Sequence, residues 1–110
     1  WSSHVWNMFD FGCAARNEGG VAGRNNKGLM TIDRKVKKDS YYIYQAYWNK
    51  KPMVHLCGKR YAQRAGEMTQ IRVYSNQPSV ILFLNGEKVE ELVKDDATEA
   101  NIEAMIKKYI

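Results

Sequence analysis

The stretch "VWNMFDFGCAARNEGGVAGRNNKGLMTIDRKVKKDSYYIYQAYW", Val5–Trp48, decides how the rest of the chain is read. It opens on β-forming and aromatic residues, and "SHVWNMFDF" (3–11) predicts a buried strand. Gly12 to Gly28 holds five glycines and three asparagines, so this segment predicts a long loop. "LMTIDR" (29–34) reads as a short extended piece. Asp39 then offers an N-cap, and "SYYIYQAYWN" (40–49) sets Tyr41, Tyr44 and Trp48 at helical spacing, with Tyr47 beside them. Pro52 closes that helix. A strand buried on both faces needs neighbours that one strand and one helix do not supply. The segment therefore reads as part of a larger sheet or barrel.

Working outward, the texture changes after Pro52. "MVHLC" (53–57), "TQIRVYS" (69–75), "SVILFLNG" (79–86) and "KVEELV" (88–93) are short strand-like runs separated by Gly, Asn and Pro. Such spacing predicts a β-sandwich arrangement. Asn85-Gly86 between apolar runs predicts a tight hairpin. The tail "DATEANIEAMIKKYI" starts on Asp96 with Glu99 in capping-box position, and Ile102, Met105, Ile106 and Tyr109 recur at helical spacing. Domain boundaries follow these shifts: 1–51, 52–94 and 95–110.

At 110 residues the chain can hold one modest domain, and 45% hydrophobic with 26% charged residues is a globular composition. No run of about 18 apolar residues is present, so no membrane partner is expected. The chain opens on Trp1 rather than Met, without a secretory leader pattern, as a trimmed chain or a piece of a longer protein would. The net charge is +5. Lys35, Lys37, Lys38, Lys50 and Lys51 flank the helix as a solvated face, and no nucleic-acid reader motif accompanies them. Cys13 and Cys57 form no C-x-x-C pair and have no zinc spacing with His4 or His55. They read as buried thiols of a reducing compartment, which favours the cytoplasm; neither metal nor cofactor is expected.

Taken in order, "VWNMFDF", "ARNEGG", "GRNNKGLMTIDRKVKKDSYYIYQAYWNKKPMVHLCGKRY" and "AQRAGEMTQIRVYSNQPSVILFLNGE" resemble the end of the catalytic domain in glycoside hydrolase family 2, in particular bacterial β-galactosidases, over roughly 3–87. The fold this implies is α+β: the last strand–loop–helix unit of a (β/α)8 barrel, then part of an immunoglobulin-like β-sandwich, then a C-terminal helix. Loops after barrel strands build active sites, so the polar loop becomes a substrate wall. The implied chemistry is retaining hydrolysis of a β-galactoside by two carboxylates about 5 Å apart. In this family both glutamates lie on earlier strands, so the chain is expected to carry no catalytic residue and to be inactive alone.

The resemblance assigns sugar contacts to Trp6, whose indole matches a family tryptophan, and to Asn25 and Lys27. The latter match an Asn-x-Lys pair facing sugar hydroxyls, or a carboxylate in the glucuronidase branch. Read without the resemblance, Trp6 is equally a core residue and Asn-Asn-Lys-Gly an ordinary turn. Asp10, Arg16 and Arg24 read as loop scaffold, with Asp10 pairing Arg16. The carbohydrate is the expected partner, with self-association through Trp6, Phe9 and Phe11.

After Glu87 the match fades. "QPSVILFLNGEKVEELV" with the tail resembles the last hairpin and helix of thioredoxin-like proteins, which makes a thioredoxin-like α/β domain, or a non-catalytic interaction module, the alternative. Cys13-Ala14-Ala15-Arg16 supplies only one cysteine of the redox pair.

Overall fold

The computed structural model describes residues 1–61, 63 and 70–93. The chain packs as two units, Trp1–Tyr44 and Gln45–Ile110. It is β-rich, with six short strands and one helix among the described residues. The expected C-terminal helix lies outside them.

The first unit departs from the sequence expectation. The predicted loop is an antiparallel hairpin, β1 (Phe11–Glu18) paired with β2 (Val21–Asn25). Gly19 and Gly20, at φ 61° and 72°, make its two-residue turn, a conformation that costs glycine little. The ladder is irregular between Gly12 and Asn17. No apolar alternation marks "GCAARNE", and most of β1 is exposed, so periodicity could not find it.

The predicted strand over 3–11 is also corrected. Among the described residues it pairs through Phe9, which bridges Met30 in parallel, and through Phe11, which opens β1 opposite Asn25. Asp10 N–H donates to Met30 O at 2.9 Å, Leu29 N–H to Asn7 O at 2.9 Å and Met30 N–H to Met8 O at 3.0 Å. Val5, Trp6 and Met8 are exposed, Trp6 at 73%. A strand needs cover on both faces to be buried, and these side chains lack it.

A polar turn then returns the chain. Thr31 Oγ1 donates to Asp33 Oδ1 at 2.5 Å and accepts from Val36 N–H at 3.1 Å, while Lys35 N–H donates to Asp33 Oδ1 at 3.2 Å. Side-chain oxygens reaching backbone N–H groups two to five residues on favour a turn over helix or strand. Lys37 consequently bridges Met30 antiparallel, and Lys38 N–H donates to Leu29 O at 2.9 Å. Helix α1 (Asp39–Trp48) follows as predicted, within a residue at each end, although none of its residues is buried.

In the second unit β3 (Val54–Leu56) pairs with β4 (Val73–Ser75), and β5 (Ser79–Leu84) with β6 (Glu87–Val93), both antiparallel. The predicted Asn85-Gly86 turn joins the latter two, with φ of 51° and 88°. Asn76 binds the first pair to the chain before it. Its Oδ1 accepts from Met53 N–H at 2.9 Å, and its Nδ2 donates to Asn49 O at 2.9 Å and Lys51 O at 2.8 Å. Among the described residues no large side chain is fully buried. None of the described helices is long and apolar enough to cross a membrane.

Candidate functional site

The polar residues of the first unit converge on the four-residue stretch Asn25–Gly28. Its backbone is accounted for group by group. Asn26 N–H donates to Glu18 Oε2 at 2.6 Å. Asn26 O accepts from Lys38 Nζ at 2.9 Å. Lys27 N–H donates to Asn25 Oδ1 at 2.9 Å, closing an Asx turn. Lys27 O accepts from Asn7 N–H at 3.4 Å. Gly28 N–H donates to Asp10 Oδ1 at 2.9 Å. From Asn26 N–H to Gly28 N–H every backbone polar group is thus satisfied inside the protein, as groups withdrawn from water require. The side chain of Lys27 stays exposed.

Asp10 is the anchor. It is 6% exposed, and its Oδ1 also accepts from Lys38 Nζ at 2.5 Å. A carboxylate removed from water is tolerable when a cation and a backbone donor both meet it. Gly28 lies flat against the same segment. A Cβ there would meet Asp10 N at 2.1 Å and Phe9 C at 2.2 Å, so only glycine fits.

The anticipated site residues fall into two groups. Trp6 and Lys27 are both exposed, and their backbones are joined through the Asn7 to Lys27 hydrogen bond. The Trp6 ring stands edge-on to Phe11, with centroids 6.2 Å apart. Asn25 is 4% exposed, and its amide oxygen is occupied by Lys27 N–H. The structure thus presents Lys27 outward and uses Asn25 to shape the turn.

The scaffold pairing is corrected. Asp10 pairs with Lys38, not Arg16; Arg16 reaches Glu18 at 3.6 Å from an exposed position. Arg24 Nε is buried without a hydrogen-bond partner among the described residues. Lys38 was missed as a loop-holding group. The one signal for Lys38 was Asp10 itself: an acid between Phe9 and Phe11 requires a cation, but nothing in the sequence says which. Arg34 instead sits over the Phe9 ring, its guanidinium carbon 4.5 Å from the centroid. Cys13 and Cys57 are half-buried thiols.

Comparison with known proteins gives the context. No family model matches the chain. A β-glucuronidase of Bacteroides fragilis is 48% identical over 87 residues, covering 78% of this chain and 12% of that protein. The crystal structure of an FMN-binding β-glucuronidase from Facaelibacterium prausnitzii L2-6 shares 69% identity and a TM-score of 0.78, over 84% of this chain and 14% of that one. A thioredoxin of Acetoanaerobium sticklandii is 54% identical over 33 residues, 30% of this chain and 31% of its own. The homologues over most of the chain are glycoside hydrolases of the β-glucuronidase and β-galactosidase kind. The chain spans about one eighth of their length.

Proposed function

We propose that this chain is a segment of a family 2 retaining glycoside hydrolase that supplies part of the substrate wall, while the two glutamates that break the bond stand elsewhere in the enzyme. One observation carries the reading: Lys27 is exposed on a turn whose backbone is held from Asn26 N–H to Gly28 N–H, and the amide that follows the exposed Trp6, Asn7 N–H, donates to Lys27 O. An ammonium and an apolar ring brought to one sugar suit a substrate that bears a carboxylate. The ring covers pyranose C–H groups and the ammonium meets the charge. The named relatives act on β-glucuronides, which makes a β-glucuronide the favoured substrate class over the neutral β-galactoside.

Three of the four acids of the first unit, Asp10, Glu18 and Asp33, are already employed. Retention requires two carboxylates about 5 Å apart, each able to reach the anomeric carbon or the leaving oxygen. Asp10 is locked to Lys38 and Gly28 N–H, Glu18 to Asn26 N–H and Arg16, and Asp33 to Thr31 and Lys35. Asn25 acts by setting the turn. The first unit would close the last strand–loop–helix part of a barrel, and the paired strands after it would begin a sandwich domain. We read the thioredoxin likeness as one of the hairpin β5–β6 and the tail, the stretch whose sequence resembles a thioredoxin-like end, and this chain holds no C-x-x-C pair for dithiol chemistry.

Titration with phenyl β-D-glucuronide and phenyl β-D-glucoside tests the substrate assignment. The glucuronide is expected to bind more tightly, and Lys27→Met to remove that preference. Equal affinity for the two sugars in the unaltered chain would overturn it.

A further inference from the structure

We infer that Asp10 and Lys38 are positioning residues for Lys27, a clamp that fixes the peptide groups on both sides of it and so aims its ammonium. The inference rests on the reading of Lys27 as the contact to the sugar carboxylate. It adds how that contact is held in place.

The geometry is reciprocal. Lys38 Nζ donates to Asn26 O, the carbonyl immediately before Lys27, at 2.9 Å. Asp10 Oδ1 accepts from Gly28 N–H, the amide immediately after Lys27, at 2.9 Å. The clamp is closed by Lys38 Nζ donating to that same Asp10 oxygen at 2.5 Å. Its two side chains are 21% and 5% exposed, so water competes weakly for these bonds. The clamp is itself anchored. Lys38 N–H donates to Leu29 O, and Asp10 N–H to Met30 O, both at 2.9 Å. Lys38 therefore does not belong to the solvated lysine face on which it would be placed by its neighbours Lys35 and Lys37, both of which are exposed.

The functional consequence concerns charge discrimination. A lysine side chain has four rotatable bonds, and the loss of their freedom opposes binding. A backbone that wandered would add to that loss; a pinned one restricts the directions from which the ammonium can approach. The clamp should therefore favour a carboxylate-bearing sugar selectively, and contribute nothing to stacking of the neutral ring on Trp6.

The test uses the full chain with Lys38→Met, Lys38→Arg and Asp10→Asn, and the phenyl glucuronide and phenyl glucoside as probes. Lys38→Met is expected to weaken glucuronide binding about tenfold, the scale set by misplacing a contact group, and to leave glucoside binding unchanged. Lys38→Arg, which keeps the charge and two donors, should recover part of the loss. Hydrogen exchange at Gly28 N–H should accelerate in Lys38→Met and Asp10→Asn. Equal weakening of both sugars would make the pair merely structural, and unchanged glucuronide affinity would remove its role; either overturns the inference. If the unaltered chain does not prefer the glucuronide, the Lys27 reading fails and this inference falls with it. That failure is distinguishable, because it is seen before any substitution. Should Lys38→Met fail to fold, Asp10→Asn and Lys38→Arg answer the same question.

Discussion

Replacing Gly28 with alanine should pry the two backbone segments of the first unit apart. The added Cβ would lie 2.1 Å from Asp10 N, 2.2 Å from Phe9 C and 2.7 Å from Met30 O. All three are backbone atoms, so no rotamer change relieves the overlap. Ordinary contact begins near 3.4 Å, which requires a separation of more than about 1 Å. Beside the longer Asn7 N–H to Lys27 O at 3.4 Å, four short hydrogen bonds cross this seam: Gly28 N–H to Asp10 Oδ1, Asp10 N–H to Met30 O, Leu29 N–H to Asn7 O and Met30 N–H to Met8 O. They are 2.9 to 3.0 Å long, and an extra ångström removes them from bonding range. Losing two or three, at a net of about 1 kcal/mol each, gives about 2–3 kcal/mol. Residual overpacking adds about 1 kcal/mol or more. Amide exchange at Asp10, Leu29 and Met30 should then speed up about 100-fold or more, or reach the unprotected rate, each factor of ten corresponding to about 1.4 kcal/mol. Amides of β5 and β6 serve as the internal control and should not change. Rates at the three seam amides within about twofold of the unaltered chain would refute the close-approach argument, since lost bonds must open the seam.

Asn76→Ala removes one acceptor and two donors that meet Met53, Asn49 and Lys51, and should destabilise the second unit by about 2–3 kcal/mol, read from urea unfolding followed by tryptophan fluorescence. The carboxyl of Asp33 is held below its usual range, first by the Thr31 hydroxyl and then by Lys35 N–H. Its depressed value means that the turn is favoured above the unfolded pKa, and that this contribution fades as pH falls through the folded one. Thr31→Val should bring the Asp33 titration, followed by carbon-detected NMR, back toward the ordinary value; an unmoved midpoint would deny the hydroxyl its part. Ile81 and Phe83 share one face of β5 at 43% and 58% exposure. Sedimentation should show concentration-dependent association that Phe83→Ser and Ile81→Lys reduce.

The sequence was legible where a local rule had one physical solution. Asp39 opens α1 with an acid in its first turn, and Asn85-Gly86 supplies the two positive φ values a tight hairpin needs. It was misleading in two places. Gly12 to Gly28 was read as loop because its glycines and asparagines outweighed any apolar period, yet Gly19-Gly20 between Glu18 and Val21 is itself a hairpin signal. Residues 3–11 have strand chemistry, but among the described residues they pair only through 7–10 with 27–30 and through Phe11 with Asn25, and Trp6 stays exposed. The candidate site was half legible. Lys27 and Trp6 were visible through the family resemblance. The clamp beneath them was not, because Asp10 and Lys38 are 28 residues apart and meet only after the Thr31–Val36 turn folds. Arg16 is the partner the sequence suggests for that aspartate, and electrostatics alone does not choose among cations whose positions are unknown.

The proposed substrate wall recognises a charged sugar without cleaving it. A single NMR sample of the chain with phenyl β-D-glucuronide reports both halves. Shifts are expected at the amides of Asn26, Lys27 and Gly28, while the anomeric proton of the intact glycoside persists undiminished. Accumulation of free glucuronic acid, or a loop that the glucuronide leaves unshifted, would contradict it.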